Sequence, residues 1–399
     1  MSAIKSTIDS KSWIKWLILL LAVASYLMGF IARFAWPPVI PLAVPDLGID
    51  MTRAGLYMSA FYIGYVVTHI PAGFLADRFG VRYLIVAAML FEGISSIGLA
   101  MTDSFSVGFA LRIATGLGAG TIYASCVRLI SSWFEPKERG LAFGLLMISP
   151  SAGVLVSNQL ATAVLKRFEW QTLFLIVGSL ALVLSIVTFF GVNDSKSEPN
   201  NRKFSEGIKY IFSNRDVLRI ALAGFCLMWV QVGFVSWGNT AIQGVGYSLA
   251  KAGFAMTLFG IGGIVGPLIS GYLIGRSDNK KWLMISGFIL LVPFQFIFGQ
   301  FEGYGYLVIL ALIIGLLNGY LNTFMPLMVT EYSDPKWSAL AGGVSGSIFQ
   351  IGAVFGPAVL GMSIDQSGSF DTAWYLLAAA PILGAMFLLT LSRPVNHPV

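Results

Sequence analysis

Apolar stretches of membrane-crossing length recur along the whole chain, and polar residues are confined to the gaps between them. The runs fall at 14–42, 53–75, 82–101, 106–130, 140–163, 169–191, 216–240, 252–275, 282–300, 305–328, 338–361 and 372–391. About 20 apolar residues carry a helix across the hydrocarbon of a bilayer. The pattern therefore predicts an all-α membrane protein with twelve transmembrane helices. Gly and Pro recur inside the runs, which membrane helices tolerate. The longest polar stretch, NDSKSEPNNRKFSEGIKYIFSNRD over 192–215, follows the sixth run. It reads as a linker with a short amphipathic helix on the membrane surface. The chain divides into an N-terminal six-helix bundle over 1–191, the linker over 192–215 and a C-terminal six-helix bundle over 216–399.

Composition agrees with lipid as the surrounding solvent. Only 11% of the 399 residues are charged and 56% are hydrophobic, whereas a soluble domain carries about 25% charged residues. The net charge of +6 is spread over inter-helix loops and gives no nucleic-acid surface. Cys126 and Cys226 lie inside apolar runs, and two histidines in all give no metal-ligand spacing. Lys5, Lys11 and Lys15 precede the first run as in a signal peptide, but the run passes Leu27 without a cleavage site and reaches Arg33, so it reads as the first span. No G-x-x-x-x-G-K-[ST] loop is present, nor any nucleophile–base pair or metal constellation. The expectation is a protein that is not an enzyme and holds no cofactor.

Charge in the gaps orients the chain. With the N-terminus inside, one side holds Lys5, Lys11, Arg78, Arg82, Lys137, Arg139, Lys196, Arg202, Lys203, Lys209, Arg215, Arg276, Lys280, Lys281, Lys336 and Arg393, which is 16, against 4 on the other, Arg53, Lys166, Arg167 and Lys251. Such an excess puts both termini in the cytoplasm, here of a prokaryotic plasma membrane. The halves also repeat. Gly73-Phe74-Leu75-Ala76-Asp77-Arg78 has a counterpart 198 positions later in Gly271-Tyr272-Leu273-Ile274-Gly275-Arg276, and Gly153 has one 199 positions later in Gly352. A constant offset between two sets of six helices indicates duplicated halves around a midplane site.

Residues 73–82 read G-F-L-A-D-R-F-G-V-R, which resembles the signature of the loop between helices 2 and 3 of the major facilitator superfamily. Glycines there let helices 2 and 11 approach closely, and Asp77 can pair with arginine or cap a helix N-terminus. Gly73, Asp77, Arg78 and Arg82 are expected to form a gating clasp that shuts the cytoplasmic side in one state. A closer resemblance, covering most of the N-terminal half, is to the anion:cation symporter branch of sugar-acid and organic-anion carriers. It rests on Arg33 followed by Asp-Leu-Gly at 46–48, on SAFYIGYVVTHIP over 59–71, and on 111–139 from LRIATG through RLISSWFEPKER. In the other half it rests on Ser236-Trp237, Asn318-Gly319 and Ala341-Gly342-Gly343. The resemblance implies two pseudo-symmetric bundles that carry a small organic anion, a monocarboxylate or sugar acid, by alternating access with proton symport. The expected partners are that anion, membrane lipids and protons, with the chain acting as a monomer. The branch often has an acid before the helix-1 arginine and a glutamate in helix 4; Ala32 and Gly118-Ala119-Gly120 stand there instead. A coupled proton would then need another carrier. The alternatives are a uniporter or exchanger, or an exporter of lipophilic compounds, whose cations Arg33 would repel.

A charge at mid-bilayer costs about 3 kcal/mol on insertion scales, so each needs a partner or a task. Arg33 has apolar neighbours for more than a turn on both sides, and its planar fork matches a carboxylate. It reads as the substrate anchor, or else as half of a structural pair. Arg112 opens the run Gly116, Gly118, Gly120 of the fourth span; it reads either as a coupling residue or as a link between helices 1 and 4 through backbone oxygens. Glu92 is the one acid deep in a span of the N-terminal half, and reads as a proton carrier or a static partner of Arg112. Arg128 is expected to snorkel and His69 to pack or gate. The offset of 198 carries Arg33 onto Gln231, a neutral amide facing the cation. Tyr65, Tyr123, Trp237, Asn322 and Gln350 complete the expected binding set, and Asn318 shares a helix face with Asn322.

Overall fold

The computed structural model describes residues 2–69, 71–192, 210–300 and 303–392, with the backbone alone for 2–12, 77 and 339. The linker helix expected over 192–215 lies for the most part outside the described residues. The first span is broken. Helix α1 (Ser2–Phe34) stops because Pro37 and Pro38 have no N–H to continue its ladder; a 3-10 turn over Pro37–Val39 and α2 (Ile40–Asp46) finish the crossing. Gly48, at φ +58°, supplies the left-handed turn into α3 (Met51–His69). The signature loop contains a helix of its own, α4 (Ala72–Phe79), joined through Gly80 at φ +86° to α5 (Val81–Ala100). After α6 (Phe105–Trp133), the fifth run is two helices, α7 (Pro136–Met147) and α8 (Ser149–Val164), with Pro150 in the first turn of α8. α9 (Trp170–Gly191) ends the first half.

The second half holds α10 (Arg215–Gly244), α11 (Leu249–Ile274), α12 (Lys280–Gln300), α13 (Tyr304–Glu331), α14 (Ser338–Ser367) and α15 (Asp371–Leu389). Asn214 caps α10 by accepting from the Asp216 and Val217 N–H groups at 3.1 and 3.2 Å. Among the described residues eleven segments are long and apolar enough to cross a membrane, with α1 and α2 forming one and α7 and α8 another. α3 is not among them. Protein rather than lipid covers it, because it packs between α6 and α14.

Glycines set the packing within each half. A Cβ at Gly64 would strike the Ile113 carbonyl, one at Gly116 the Phe61 carbonyl and one at Gly120 the Tyr65 carbonyl, so α3 and α6 touch backbone to backbone. In the second half Gly262 meets the Leu312 carbonyl, Gly315 the Phe259 carbonyl and Gly319 the Gly263 carbonyl, joining α11 to α13. From 64 to 262 is 198 positions; from 116 to 315 and from 120 to 319 is 199. The internal repeat is thus also a repeat of contacts.

Among the described residues, hydrogen bonds join the two halves at one end. At the end far from the linker, Asp365 of α14 accepts from the Met51 N–H (3.1 Å), the Thr52 N–H (2.7 Å) and the Thr52 hydroxyl (2.5 Å), so a carboxylate of one half caps α3 of the other. Asn239 of α10 donates to Asn158 of α8 at 2.7 Å, and Gln159 to Thr257 of α11 at 2.7 Å. Gly55 and Gly361 bring α3 and α14 together here. At the linker end, positions Gly73, Gly271, Gly342 and Gly343 have no heavy atom within 4 Å of where a Cβ would sit. The close approach of the second and eleventh spans expected at Gly73 is therefore found at the opposite end. The halves splay toward the linker, so the glycines there have nothing to meet.

Gly116→Ala should lower stability by about 1–3 kcal/mol, because the methyl displaces the Phe61 carbonyl. Gly73→Ala should leave it unchanged. Thermal unfolding of the two purified variants in detergent makes the comparison.

Candidate functional site

The break in the first span creates the site. In a continuous helix the Arg33 carbonyl would accept from the N–H of residue 37, which is proline. Arg112 of α6 supplies the missing donor. Its Nη2 donates to the Arg33 carbonyl at 3.2 Å, its Nη1 to the Ala32 carbonyl at 3.0 Å, and its Nε to the Tyr57 carbonyl of α3 at 3.2 Å. One fully buried guanidinium thereby ties α1, α3 and α6 together. Trp36 secures the turn after the break, donating its indole N–H to the Ala54 carbonyl of α3 at 2.9 Å. The expected static pair of Glu92 with Arg112 is not formed, because backbone carbonyls occupy the Arg112 donors. Of the two readings of Arg112, the structure has the backbone link.

Arg33 is held differently. It is 5% exposed, and its guanidinium lies over the rings of Phe30 (4.5 Å), Tyr65 (4.6 Å), Phe61 (4.8 Å) and Tyr62 (5.0 Å). Among the described residues no carboxylate lies within ion-pair distance of it, and its Nε has no acceptor. A desolvated cation–π contact contributes about 2 kcal/mol, against a burial cost of about 3 kcal/mol. Several rings thus suffice to hold the cation. They surround the cation, and the Tyr65 hydroxyl interacts with its N–H groups, while Nε is left without an acceptor and can meet a carboxylate.

Around this cage stand further expected residues. Tyr65 stacks on His69 at 5.0 Å between ring centres, and His69 lies 6.5 Å from Tyr123 with ring planes 22° apart. Glu92 is fully buried and neither carboxyl oxygen has a hydrogen-bond partner. Its Oε1 faces Gly29, one helical turn before Arg33 on α1, and the Arg33 charge acts on it. In the second half Asn322 donates to Gln231 at 2.9 Å, so these two amides are brought together. The Oε1 of Gln350 is buried without a partner. Asn318 is turned away, donating to the Ile314 carbonyl of its own helix at 2.8 Å. Trp237 is buried and donates to the Pro357 carbonyl at 3.0 Å, which makes it a brace between α10 and α14. Of the gating set, Arg78 lies over the Phe79 ring at 5.4 Å and Arg82 over Phe189 at 4.2 Å; the Asp77 side chain lies outside what is described.

Sequence reasoning missed Phe30, Phe61, Tyr62 and Tyr26 as members of the cage and its surround. Their signal was present in the spacing: 26, 30 and 33 on one helix and 61, 65 and 69 on another recur at helical intervals, so each set shares a face.

A family model described as Major Facilitator Superfamily matches residues 18–277 and 240–399. Among the similar proteins are a hexuronate transporter of Bacillus subtilis (strain 168), 22% identical over 95% of this chain and 94% of that protein, and the 4-hydroxybenzoate transporter PcaK of Pseudomonas aeruginosa, 26% identical over 86% of this chain and 84% of that protein. The crystal structure of a D-xylose-proton symporter aligns with a TM-score of 0.78 at 15% identity, over 94% of this chain and 97% of that one.

Arg112→Lys keeps the charge but cannot reach three carbonyls on two helices. Each carbonyl orphaned in the interior costs about 1–3 kcal/mol. The expected result is a loss of about 2 kcal/mol or more, read as a lowered midpoint of thermal unfolding, with Arg112→Leu lower still.

Proposed function

We propose, on the premise that this chain belongs to the Major Facilitator Superfamily, that it is a secondary transporter of a small organic anion, a monocarboxylate or sugar acid, with Arg33 holding the charge. The observation that carries this reading is the buried Arg33 guanidinium with rings on its faces and no acid on its edge. Relatives named for hexuronate and for 4-hydroxybenzoate support an organic acid as the missing anion. Tyr65 lies against the anchor and Tyr123 stands across His69 and Tyr26 from it, while Gln231, Asn322 and Gln350 offer polar contacts from the other half. Trp237 braces this wall from behind.

With α3 counted as a span, the chain has twelve in two six-helix bundles. The Lys and Arg excess puts the linker end in the cytoplasm. The halves then meet outside and part inside, which is an inward-facing arrangement. Alternating access requires the Asp365 cap on α3 to break while the Gly73, Asp77, Arg78 and Arg82 clasp closes the cytoplasmic end. Glu92 carries the coupled proton. It lies one turn from Arg33 in the same apolar setting, so an anion on one and a proton on the other each remove a charge, and each favours the other.

Arg33→Lys should lose most transport, at least tenfold, while the protein still inserts and unfolds normally, because lysine keeps the charge without the fork. Normal flux in both Arg33→Lys and Arg33→Ala would remove the anchor assignment. Glu92→Gln should abolish accumulation driven by a proton gradient yet keep counterflow exchange, measured in proteoliposomes. Accumulation that survives in Glu92→Gln makes Glu92 structural, and a wild type indifferent to pH makes the protein an exchanger or uniporter.

A further inference from the structure

We infer that the anion taken by this site is a planar aryl carboxylate and that Tyr123 and His69 select it against sugar acids; this rests on the anion-carrier reading above. Six side chains close a ring on the inner wall of the first half. Arg33 lies 4.5 Å over Phe30; Phe30 meets Tyr26 at 5.0 Å; Tyr26 meets Tyr123 at 5.7 Å; Tyr123 meets His69 at 6.5 Å; His69 meets Tyr65 at 5.0 Å; and Tyr65 returns to Arg33 at 4.6 Å. Of these, Tyr123 and His69 are half-buried and the other four are buried. The accessible part of the ring is thus aromatic, with planes within 22° of each other, and the cation stands at its far side.

The opposite wall is open beside this ring. Gly346 of α14 comes against His69 Nε2, which lies 3.9 Å from where its Cβ would be, whereas Gly342 and Gly343, one turn further toward the linker end, have nothing within 4 Å. Space next to His69 is therefore found on the linker side of Gly346. A sugar acid asks for the reverse, a set of donors and acceptors spaced to several hydroxyls. Across the site Gln231 and Asn322 hold one bond to each other, and the groups of the ring itself that are accessible are aromatic faces. A carboxylate on the unpartnered Nε of Arg33 and an aryl face along the half-buried Tyr123 match this ring.

The test is competition in counterflow by the full-length protein in proteoliposomes loaded with benzoate. The competitors are benzoate, cyclohexanecarboxylate, which has the same charge and similar size without a π face, and glucuronate. Aromatic contacts of this kind amount to about a tenfold preference for two ring faces. Benzoate should therefore compete about tenfold better than cyclohexanecarboxylate and better still than glucuronate. Tyr123→Leu should bring the first ratio toward one, and Tyr123→Phe should keep it. Exchange of glucuronate in preference to benzoate would overturn the aryl inference and leave the anion carrier standing. Absence of exchange for all three anions by folded wild-type protein would overturn both. The wild-type comparison decides the inference even where a variant does not fold.

Discussion

A carbonyl stranded inside a bilayer cannot turn to water, and the first span strands those of Arg33 and Phe34 by sequence because residues 37 and 38 are prolines; at Arg33 the substitute donor is a side chain. Arg112 supplies it, and in doing so fixes α1, α3 and α6 at one point. The rest of the site follows from that point. Arg33 occupies the last turn of α1, and α3 is held where Phe61, Tyr62 and Tyr65 close over it. The same solution recurs at other helix ends. Arg139 donates to the Ser131 and Phe134 carbonyls at the end of α6, Arg219 to that of Thr390 beyond α15, and Lys281 to those of Leu389 and Leu391. A cation at a helix C-terminus satisfies both the dipole and the carbonyls without donors. Several of the few charges in this chain are therefore backbone caps and not ligand contacts.

Two kinds of contact divide the labour of holding and moving. Within a half, glycines let backbones touch, and such surfaces cannot slide without collision. Between the halves, glycine contacts at Gly55, Gly361 and Gly260 are joined by polar links: one carboxylate on a helix N-terminus and a small set of amides and hydroxyls. Each neutral link contributes about 1 kcal/mol net, since water replaces it when broken. The polar links of the seam can be exchanged for water, as a motion of the halves requires.

The all-helical architecture with long apolar helices and the internal repeat were legible in the sequence, because apolar length and internal offset are one-dimensional properties. The offset of 198 foreshadowed the paired glycines of α3–α6 and α11–α13. Azimuth was not legible. Depth alone placed Glu92 near Arg112, whereas the helices turn Glu92 toward Gly29 and Arg112 toward carbonyls. Trp237 is buried with its indole N–H on the Pro357 carbonyl, a contact that its position along the helix does not reveal. The break in the first span was visible as Pro37-Pro38 yet passed over, because attention to hydropathy favours one unbroken run.

The tie between α1 and Arg112 also has a history within each molecule's synthesis. The Arg33 carbonyl leaves the ribosome 79 residues before the arginine that caps it. At about 5–20 residues per second, that gap lasts on the order of ten seconds. Throughout it the broken first span has no internal donor for its carbonyl, and bare lipid offers none. Water or the insertion machinery must stand in until the fourth span arrives. The early spans therefore cannot settle one at a time; the first, second and fourth reach their final form together.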